Sequence, residues 1–418
     1  MVLSKIQEVS THYLNCIMNN SQREIITATV PVLRAHGIAL TTHFYKRMFS
    51  HHPDLKNIFN MGNQKTGKQQ QALAMAVLAY AEHIANPGVL LPELHRIGHK
   101  HVSLEIRPEH YPIVGNHLIA SIKEVLGEAA SLEILEAWEI AYNQLADLMM
   151  GIEAGIYKDQ TNKKGGWTGW RPFRVKEKVQ ESDEITSFYL YPCDGENVIS
   201  HIPGQFLSLR VFLPELGLNQ ARQYSVSSVP NAHFYRISVK KEFNPNLNIN
   251  GMISNFLHDH IQTGDLVDLT APIGNFTLDP KKGVPITFIS GGVGVTPLIS
   301  MLQSLSFDKP NQVLTWVHAC RNQTVHAFRE DVKAIAKNHP NLSQHIFYDA
   351  LTAKDEKDGV LQGPLDFNKI KAFPIESQYY ICGPAGFIAQ QHKELIAKGV
   401  PVEAISFEEF GPQLLSLN

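Results

Sequence analysis

Residues 285–302 read PITFISGGVGVTPLISML: a short apolar run, a glycine turn, then a run with helical spacing. Ser290, Gly291, Gly292, Val293, Gly294, Val295 and Thr296 make up the junction. A glycine turn lets the backbone approach a pyrophosphate with no Cβ in the way. The helix N-terminus that follows offers free N–H groups and the positive end of a dipole. Pro297 suits the first helical turn, where its missing N–H would be unpaired anyway. The pattern is G-x-G-x-x-P, not G-x-G-x-x-G, so by itself it fits a plain strand-to-helix turn as well as a nucleotide site. Further along, VLTWVHAC (313–320) and YYICGP (379–384) are short apolar strands separated by helical segments. Alternating strand and helix predicts parallel β-α-β units, here spanning 281–418. Cys382, Gly383 and Pro384 form a second turn at the carboxyl edge of that sheet, where ligands bind.

Before residue 281 the period changes. Segments near 171–179, 184–192, 205–212, 222–228 and 234–241 are rich in Val, Ile, Phe, Tyr and Thr and are separated by Pro, Gly and Asn. This predicts an antiparallel β-barrel over 171–280. The polar, glycine-containing stretch 158–170 is the linker. Only 7 of the 28 glycines fall in the first 150 residues, and glycine costs a helix about 0.8–1.0 kcal/mol per site relative to alanine. Trp138, Tyr142, Leu145, Met149 and Ile152 recur at three- and four-residue steps, as do apolar residues from about Gln69 to Ile84. Residues 1–157 are therefore read as all-helical. The fold class is multidomain: an α module, a β module and an α/β module.

Composition excludes several classes. The 418 residues carry a net charge of −3, which excludes a strongly basic nucleic-acid binder. The four cysteines stand far apart, with no zinc or disulfide spacing, and no run of 18 apolar residues exists. The N-terminus lacks an apolar core and a cleavage site, so a cytoplasmic location is expected, with no membrane span. The chain is expected to be a monomer.

Arg222, Gln223, Tyr224 and Ser225 lie together on one strand of the β module. Arginine suits a diphosphate, tyrosine stacks on a planar ring, and serine hydrogen-bonds a flavin edge. Near the chain's end stand Phe407, Glu408, Glu409, Phe410, Gly411 and Pro412. With the two glycine turns these motifs, in this order, resemble the ferredoxin–NADP reductase superfamily over roughly 168–418. The resemblance implies an FAD barrel in which Arg222, Tyr224 and Ser225 hold the flavin. It also implies a pyridine-nucleotide domain met through 290–296 and 382–387. Phe206 occupies a place where that family often has an aromatic residue against the adenine end of FAD. No acidic residue follows VLTWVHAC; Arg321 stands there instead, which leans toward NADPH over NADH.

The helical part holds 11 of the 20 histidines, which makes haem a candidate electron acceptor. Tyr45, Phe59, Gln69, Leu73, Lys100, His101, Tyr111 and Glu153 form a constellation there, with Gln69 and Leu73 on one helix face. Taken singly, each reads equally well as a core aromatic, a solvated polar residue or a surface charge. Together, residues from about 18 to 418 resemble a bacterial flavohaemoglobin, a haem globin fused to an FAD/NAD(P)H reductase.

That resemblance implies three cofactors: haem b with its iron, FAD, and NADPH or NADH. His101 would be the proximal iron ligand, and Phe59 would pack on the haem. Tyr45, Gln69 and Leu73 would line the distal pocket. Tyr111 and Glu153 would form a hydrogen-bonding relay at His101. Lys100 and Glu408 would tune electron transfer by their charge. Residues 1–17 would be an extension before the usual start. The activity implied is nitric oxide dioxygenation with O₂ and NO as substrates: NAD(P)H reduces FAD, FAD reduces haem, and ferrous haem with O₂ oxidises NO to nitrate. Two other readings stay open. One is an O₂ or NO sensor or carrier kept ferrous by its own flavin module. The other is a flavin-dependent ferric or quinone reductase beside an idle helical module.

Overall fold

The structure, a computed structural model, describes residues 18–245 and 248–411. The extension read at 1–17, and Pro412, lie outside the described residues. The chain divides into two compact units, Met1–Asn162 with Phe212–Ala221, and Lys163–Val211 with Arg222–Asn418.

Seven described helices build the first unit: α1 (Asn20–Ala28), α2 (Val30–His51), α3 (Met61–Lys65), α4 (Lys68–Glu82), α5 (Leu91–Ser103), α6 (His110–Leu126) and α7 (Leu132–Asn162). Local chemistry sets their ends. The Asn19 side chain accepts from Gln22 N at 2.9 Å, and the Gln22 side chain accepts from Asn19 N at 3.0 Å, closing a capping box on α1. Pro31 and Pro92 sit in the first turns of α2 and α5, and Pro53 and Pro87 start single 3₁₀ turns. The apolar faces meet in a core of Ile26, Leu40, Tyr80, Ala141 and Trp138. Among the described residues no single helix is long and apolar enough to cross a membrane. Helix α7 continues to Asn162, into the stretch read as linker, because its polar residues are compatible with the exposed end of a helix.

Most strand residues belong to the second unit, the segment Phe212–Ala221 being assigned to the first. Strands β1 (Arg171–Gln180), β2 (Ile185–Pro192), β3 (Phe206–Leu213), β4 (Leu218–Ser225) and β5 (Tyr235–Lys240) are followed by the short pair β6 (Phe243–Asn244) and β7 (Ile249–Asn250), helix α8 (Met252–Asp259) and β8 (Leu266–Leu269). The six longer strands form one sheet in the order β4-β3-β8-β1-β2-β5. Pairs β1–β2, β1–β8, β2–β5 and β3–β8 run antiparallel. The expected strand at 222–228 instead begins at Leu218 and ends at Ser225. Asn219 and Gln220 fall between two of the expected strands, yet they lie within β4 and Gln220 is fully buried with its amide satisfied.

The parallel part follows: β9 (Ile286–Gly291), α9 (Val295–Asp308), β10 (Leu314–Cys320), α10 (Arg329–Asn338), β11 (Leu342–Tyr348), α11 (Ala353–Lys357), β12 (Leu361–Gln362), β13 (Gln378–Gly383), α12 (Ala385–Ala397) and β14 (Ile405–Glu409). The order is β12-β11-β10-β9-β13-β14, every pair parallel. Apolar clusters around Trp316, Phe288 and Leu298 on one side, and Ile381, Val317 and Phe347 on the other, bury both faces. Strand order reverses between β9 and β13, so the crevice at their carboxyl ends is the place such sheets bind ligands.

Candidate functional site

In the helical unit the last turn of α5 presents His101. Its Nδ1 lies 2.7 Å from Glu153 Oε1 on α7 and 3.3 Å from the Tyr111 hydroxyl on α6. Tyr111 donates its hydroxyl to the same Glu153 oxygen at 2.5 Å. Glu153 is only 2% exposed, and burial next to that carboxylate pushes the Tyr111 phenol well above its usual range. Tyr111 therefore stays protonated and donates. A charged acceptor at Nδ1 fixes the proton there and leaves Nε2 as the basic nitrogen. The imidazole is 35% exposed although its anchor is buried, so the ring edge opens out of the core. Leu94, Met149 and Ile152, with partly buried Ile97, Leu145 and Leu148, form the apolar surface of this half.

A second group gathers on α2, α4 and the segment between them. Tyr45 is 4% exposed, stacks on Phe49 at 5.9 Å and meets Phe59 edge-on at 5.8 Å. Leu73 packs in the same cluster. Burial raises the Tyr45 phenol above its usual range, and a hydrogen bond with the Gln69 side chain partly opposes this. Tyr45 is thus a neutral O–H, with the Gln69 side chain near it. Tyr142 joins the two groups: it packs with Tyr45 and Phe59 and donates to the Tyr111 carbonyl at 2.6 Å. Hydroxyl and amide donors, an imidazole anchored at Nδ1 and apolar flanks in one helical unit are residue types that fit a haem. Lys100 precedes His101 in α5, half-buried, and its carbonyl accepts from Ser103 Oγ at 2.8 Å.

Sequence reasoning missed Gln220. Within the unit that contains Phe212–Ala221, its side-chain nitrogen donates to the Lys56 carbonyl at 2.7 Å and the Phe59 carbonyl at 3.3 Å. Its side-chain oxygen accepts from Met61 N at 3.0 Å. One amide thus pins both sides of Phe59, a contact of 161 residues' separation that no local pattern announces. Gln220→Ala leaves these buried backbone groups without partners, at a cost of about 1–3 kcal/mol. The expected result is faster haem loss to an apoglobin acceptor; an unchanged rate would remove Gln220 from this role.

In the other unit, strand β4 carries the cluster Arg222, Gln223, Tyr224 and Ser225. The first three are half-buried and Ser225 is buried. Desolvation pulls the Arg222 guanidinium down to about 10. A half-buried cation, an aromatic ring and a hydroxyl on one strand suit a phosphate-bearing planar ligand. Phe206 opens β3, and a Cβ on Gly274 would lie 3.0 Å from its ring, so that turn holds the phenyl group in place.

The two glycine turns meet. A Cβ on Gly294 would lie 2.1 Å from the Cys382 carbonyl oxygen, and one on Gly383 would lie 2.8 Å from the Phe387 ring. Gly291, between them, faces the same ring at 3.0 Å. Ser290, Gly291, Gly294, Val295, Thr296, Cys382 and Gly383 are all buried, while Gly292, Val293 and Pro384 stand at the surface of the crevice. The glycine turn leads straight into the N-terminus of α9, and a helix N-terminus after such a turn fits a dinucleotide phosphate. Glu408 and Glu409 end β14, where Glu408 pairs in register with Cys382; Phe410 and Gly411 follow, exposed. Arg321 pairs with Glu184. A carboxylate from a distant turn therefore stands beside the arginine, and reading along β10 could not find it.

Comparison with known proteins agrees with this division. The Globin family model matches residues 42–149, the Oxidoreductase FAD-binding domain 172–278 and the Oxidoreductase NAD-binding domain 288–393. The flavohemoprotein of Chromobacterium violaceum is 48% identical over 94% of this chain and 98% of its own. That of Rhizobium meliloti is 48% identical over 96% and 100%. Among solved structures, the flavohemoglobin of Malassezia yamatoensis, with bound FAD and heme, covers 94% of this chain and 99% of its own at 25% identity and a TM-score of 0.83. The FAD/NAD-binding domain of the nitric oxide dioxygenase from Vibrio cholerae covers 58% of this chain and 99% of its own, at 36% identity and a TM-score of 0.54. A globin match followed by FAD- and NAD-binding oxidoreductase matches on one polypeptide, with flavohemoproteins 48% identical along nearly its whole length, shows that the chain belongs to the flavohemoprotein family.

Proposed function

We propose that the chain is a nitric oxide dioxygenase that consumes NO, O₂ and NAD(P)H and releases nitrate, a detoxifying activity. The observation that carries this reading is the His101–Glu153–Tyr111 cluster. A buried carboxylate at Nδ1 makes the imidazole a strongly donating ligand, which favours activating bound O₂ over storing it. When bound, NAD(P)H, FAD and haem supply hydride transfer, single-electron transfer and the combination of O₂ with NO.

The chain's own residues bind and orient. His101 would hold the iron through Nε2. Glu153 would keep the proton on Nδ1, with Tyr111 fixing the carboxylate. Tyr45 and Gln69 would present donors on the distal side, where negative charge develops. Phe59 and Leu73 would exclude water there. Arg222 would meet the flavin diphosphate, Tyr224 and Ser225 its ring, and Phe206 the adenine end. Residues 290–296 and 382–384, with the 408–412 segment, would receive the pyridine nucleotide. Lys100 and Glu408 would adjust the cofactor potentials by their charge. Domain limits of 1–157, 171–280 and 281–418 suit these roles. A cytoplasmic monomer is the state in keeping with three described cysteines that are all free.

The test is direct. Purified protein supplied with NAD(P)H, O₂ and NO is expected to consume NO continuously and release one nitrate per NO. Saturable NO binding without turnover would replace this reading with a sensor or carrier.

A further inference from the structure

Strand β10 ends on His318, Ala319 and Cys320, and a single 3₁₀ turn at Gln323–Val325 brings His326 back against it. One ligand atom each from His318, Cys320 and His326 lie within 4.8 Å of one another. None of these residues belongs to the haem, flavin or nucleotide roles above. We propose that they form a three-ligand site for Zn²⁺, a borderline-soft divalent cation, with a fourth position open to water or an incoming ligand.

Four observations converge. First, the donor set is right. Two imidazoles and a thiolate suit Zn²⁺, whose tetrahedral ligands stand about 3.3–3.6 Å apart, so closure needs side-chain shifts of about an ångström. Second, both histidines are oriented from behind. His318 Nδ1 lies 2.7 Å from Ser290 Oγ, and His326 Nδ1 lies 2.7 Å from the Tyr348 hydroxyl. Such partners commit Nδ1 and leave Nε2 to a metal. Third, His318 is 1% exposed, and its Nε2 is buried with no hydrogen-bond partner among the described residues. A buried polar atom without a partner is costly, and a metal bond would satisfy it. Fourth, the turn is braced: the Asn322 side chain caps it by accepting from Thr324 N and Val325 N, while the two rings, 4.4 Å apart and 25° from parallel, must rotate for both Nε2 lone pairs to meet one ion.

His318 and Cys320 share one face of the strand, two residues apart. Binding would displace the Cys320 thiol proton to solvent as the sulfur–zinc bond forms; no electron moves. Ser290 immediately precedes the glycine turn, so an occupied site would also stiffen the strand that presents that turn.

The full-length holoprotein, stripped with a chelator, equilibrated with Zn²⁺ and desalted, is analysed for zinc and iron together. One zinc per chain is expected in the wild type and in Cys193→Ser, and none in Cys320→Ser or His326→Gln. Tyr348→Phe is expected to weaken Zn²⁺ by about 10–100-fold, as for other partners that orient a ligand. Equal zinc in the wild type and the ligand variants, or none in the wild type, would overturn the site. A measurement on the unmodified chain guards against variants that fail to fold. Zn²⁺ should slow alkylation of Cys320, read by peptide mass, and leave exposed Cys193 unaffected. Equal alkylation with and without Zn²⁺ would also overturn it.

Discussion

Replacing His101 with alanine is expected to reduce NO consumption to background and remove the reduction-sensitive Soret band, while NAD(P)H still reduces ferricyanide through the flavin. The geometry gives the reason. His101 is the imidazole whose Nδ1 is taken by Glu153 at 2.7 Å and whose ring edge stands open, so no neighbouring side chain duplicates it. The ferricyanide activity depends on residues of the other unit and has no call on α5. Glu153→Gln is the graded companion. It keeps the shape and removes the charge, and loss of such a partner lowers affinity or activity by about 10–100-fold. The measurements are an NO electrode trace and a visible spectrum with CO added after reduction. Full NO consumption by the His101→Ala protein would sink the dioxygenase reading and favour a flavin reductase with an idle helical unit.

Gly294→Ala is expected to disable the flow of electrons from the pyridine nucleotide. The added methyl would lie 2.1 Å from the Cys382 carbonyl oxygen and 2.3 Å from its carbon. That backbone belongs to the buried strand β13, paired on both sides, so it cannot give way as a side-chain tip could. Overpacking of this kind costs about 1–3 kcal/mol, occasionally more. The relief is for the turn to lift off β13, and a misplacement of about 1 Å in a positioning element lowers a rate by about 100-fold. Anaerobic stopped-flow bleaching of the flavin by NAD(P)H reads this, and the haem spectrum serves as the unchanged control. Gly292→Ala sharpens the comparison. A Cβ there meets nothing within 4 Å, and its only cost is the backbone angle of +53°, about 1–2 kcal/mol. If Gly294→Ala bleached at the wild-type rate, the contact between the two turns would have no part in receiving the nucleotide.

Much of this architecture was legible in the residues alone. Scarce glycine with three- and four-residue apolar spacing marks a helix wherever it occurs, and Trp138 and Ala141 pack in the core of α7 accordingly. The junction from Ser290 to Thr296 was equally readable, because strand, glycine turn and helix are adjacent in the chain and their geometry is local. The partnership of His101, Tyr111 and Glu153 became readable only through the resemblance; spacing alone allows each a surface role. Their shared hydrogen bonds come from three helices, and no periodicity encodes which faces meet.

The helical, antiparallel and parallel segments are written in the residues, because side-chain periodicity and turn chemistry act over a few positions. Tertiary structure alone decided the long-range matters. Gln220, in an interval between two expected strands, holds the backbone around Phe59. Glu184 stands against Arg321. Gly294 is required by a carbonyl 88 residues further on, and His318, Cys320 and His326 turn inward on one another. Hydrogen bonds and close packing act over 3–4 Å, so they depend on which chain segments the fold brings together.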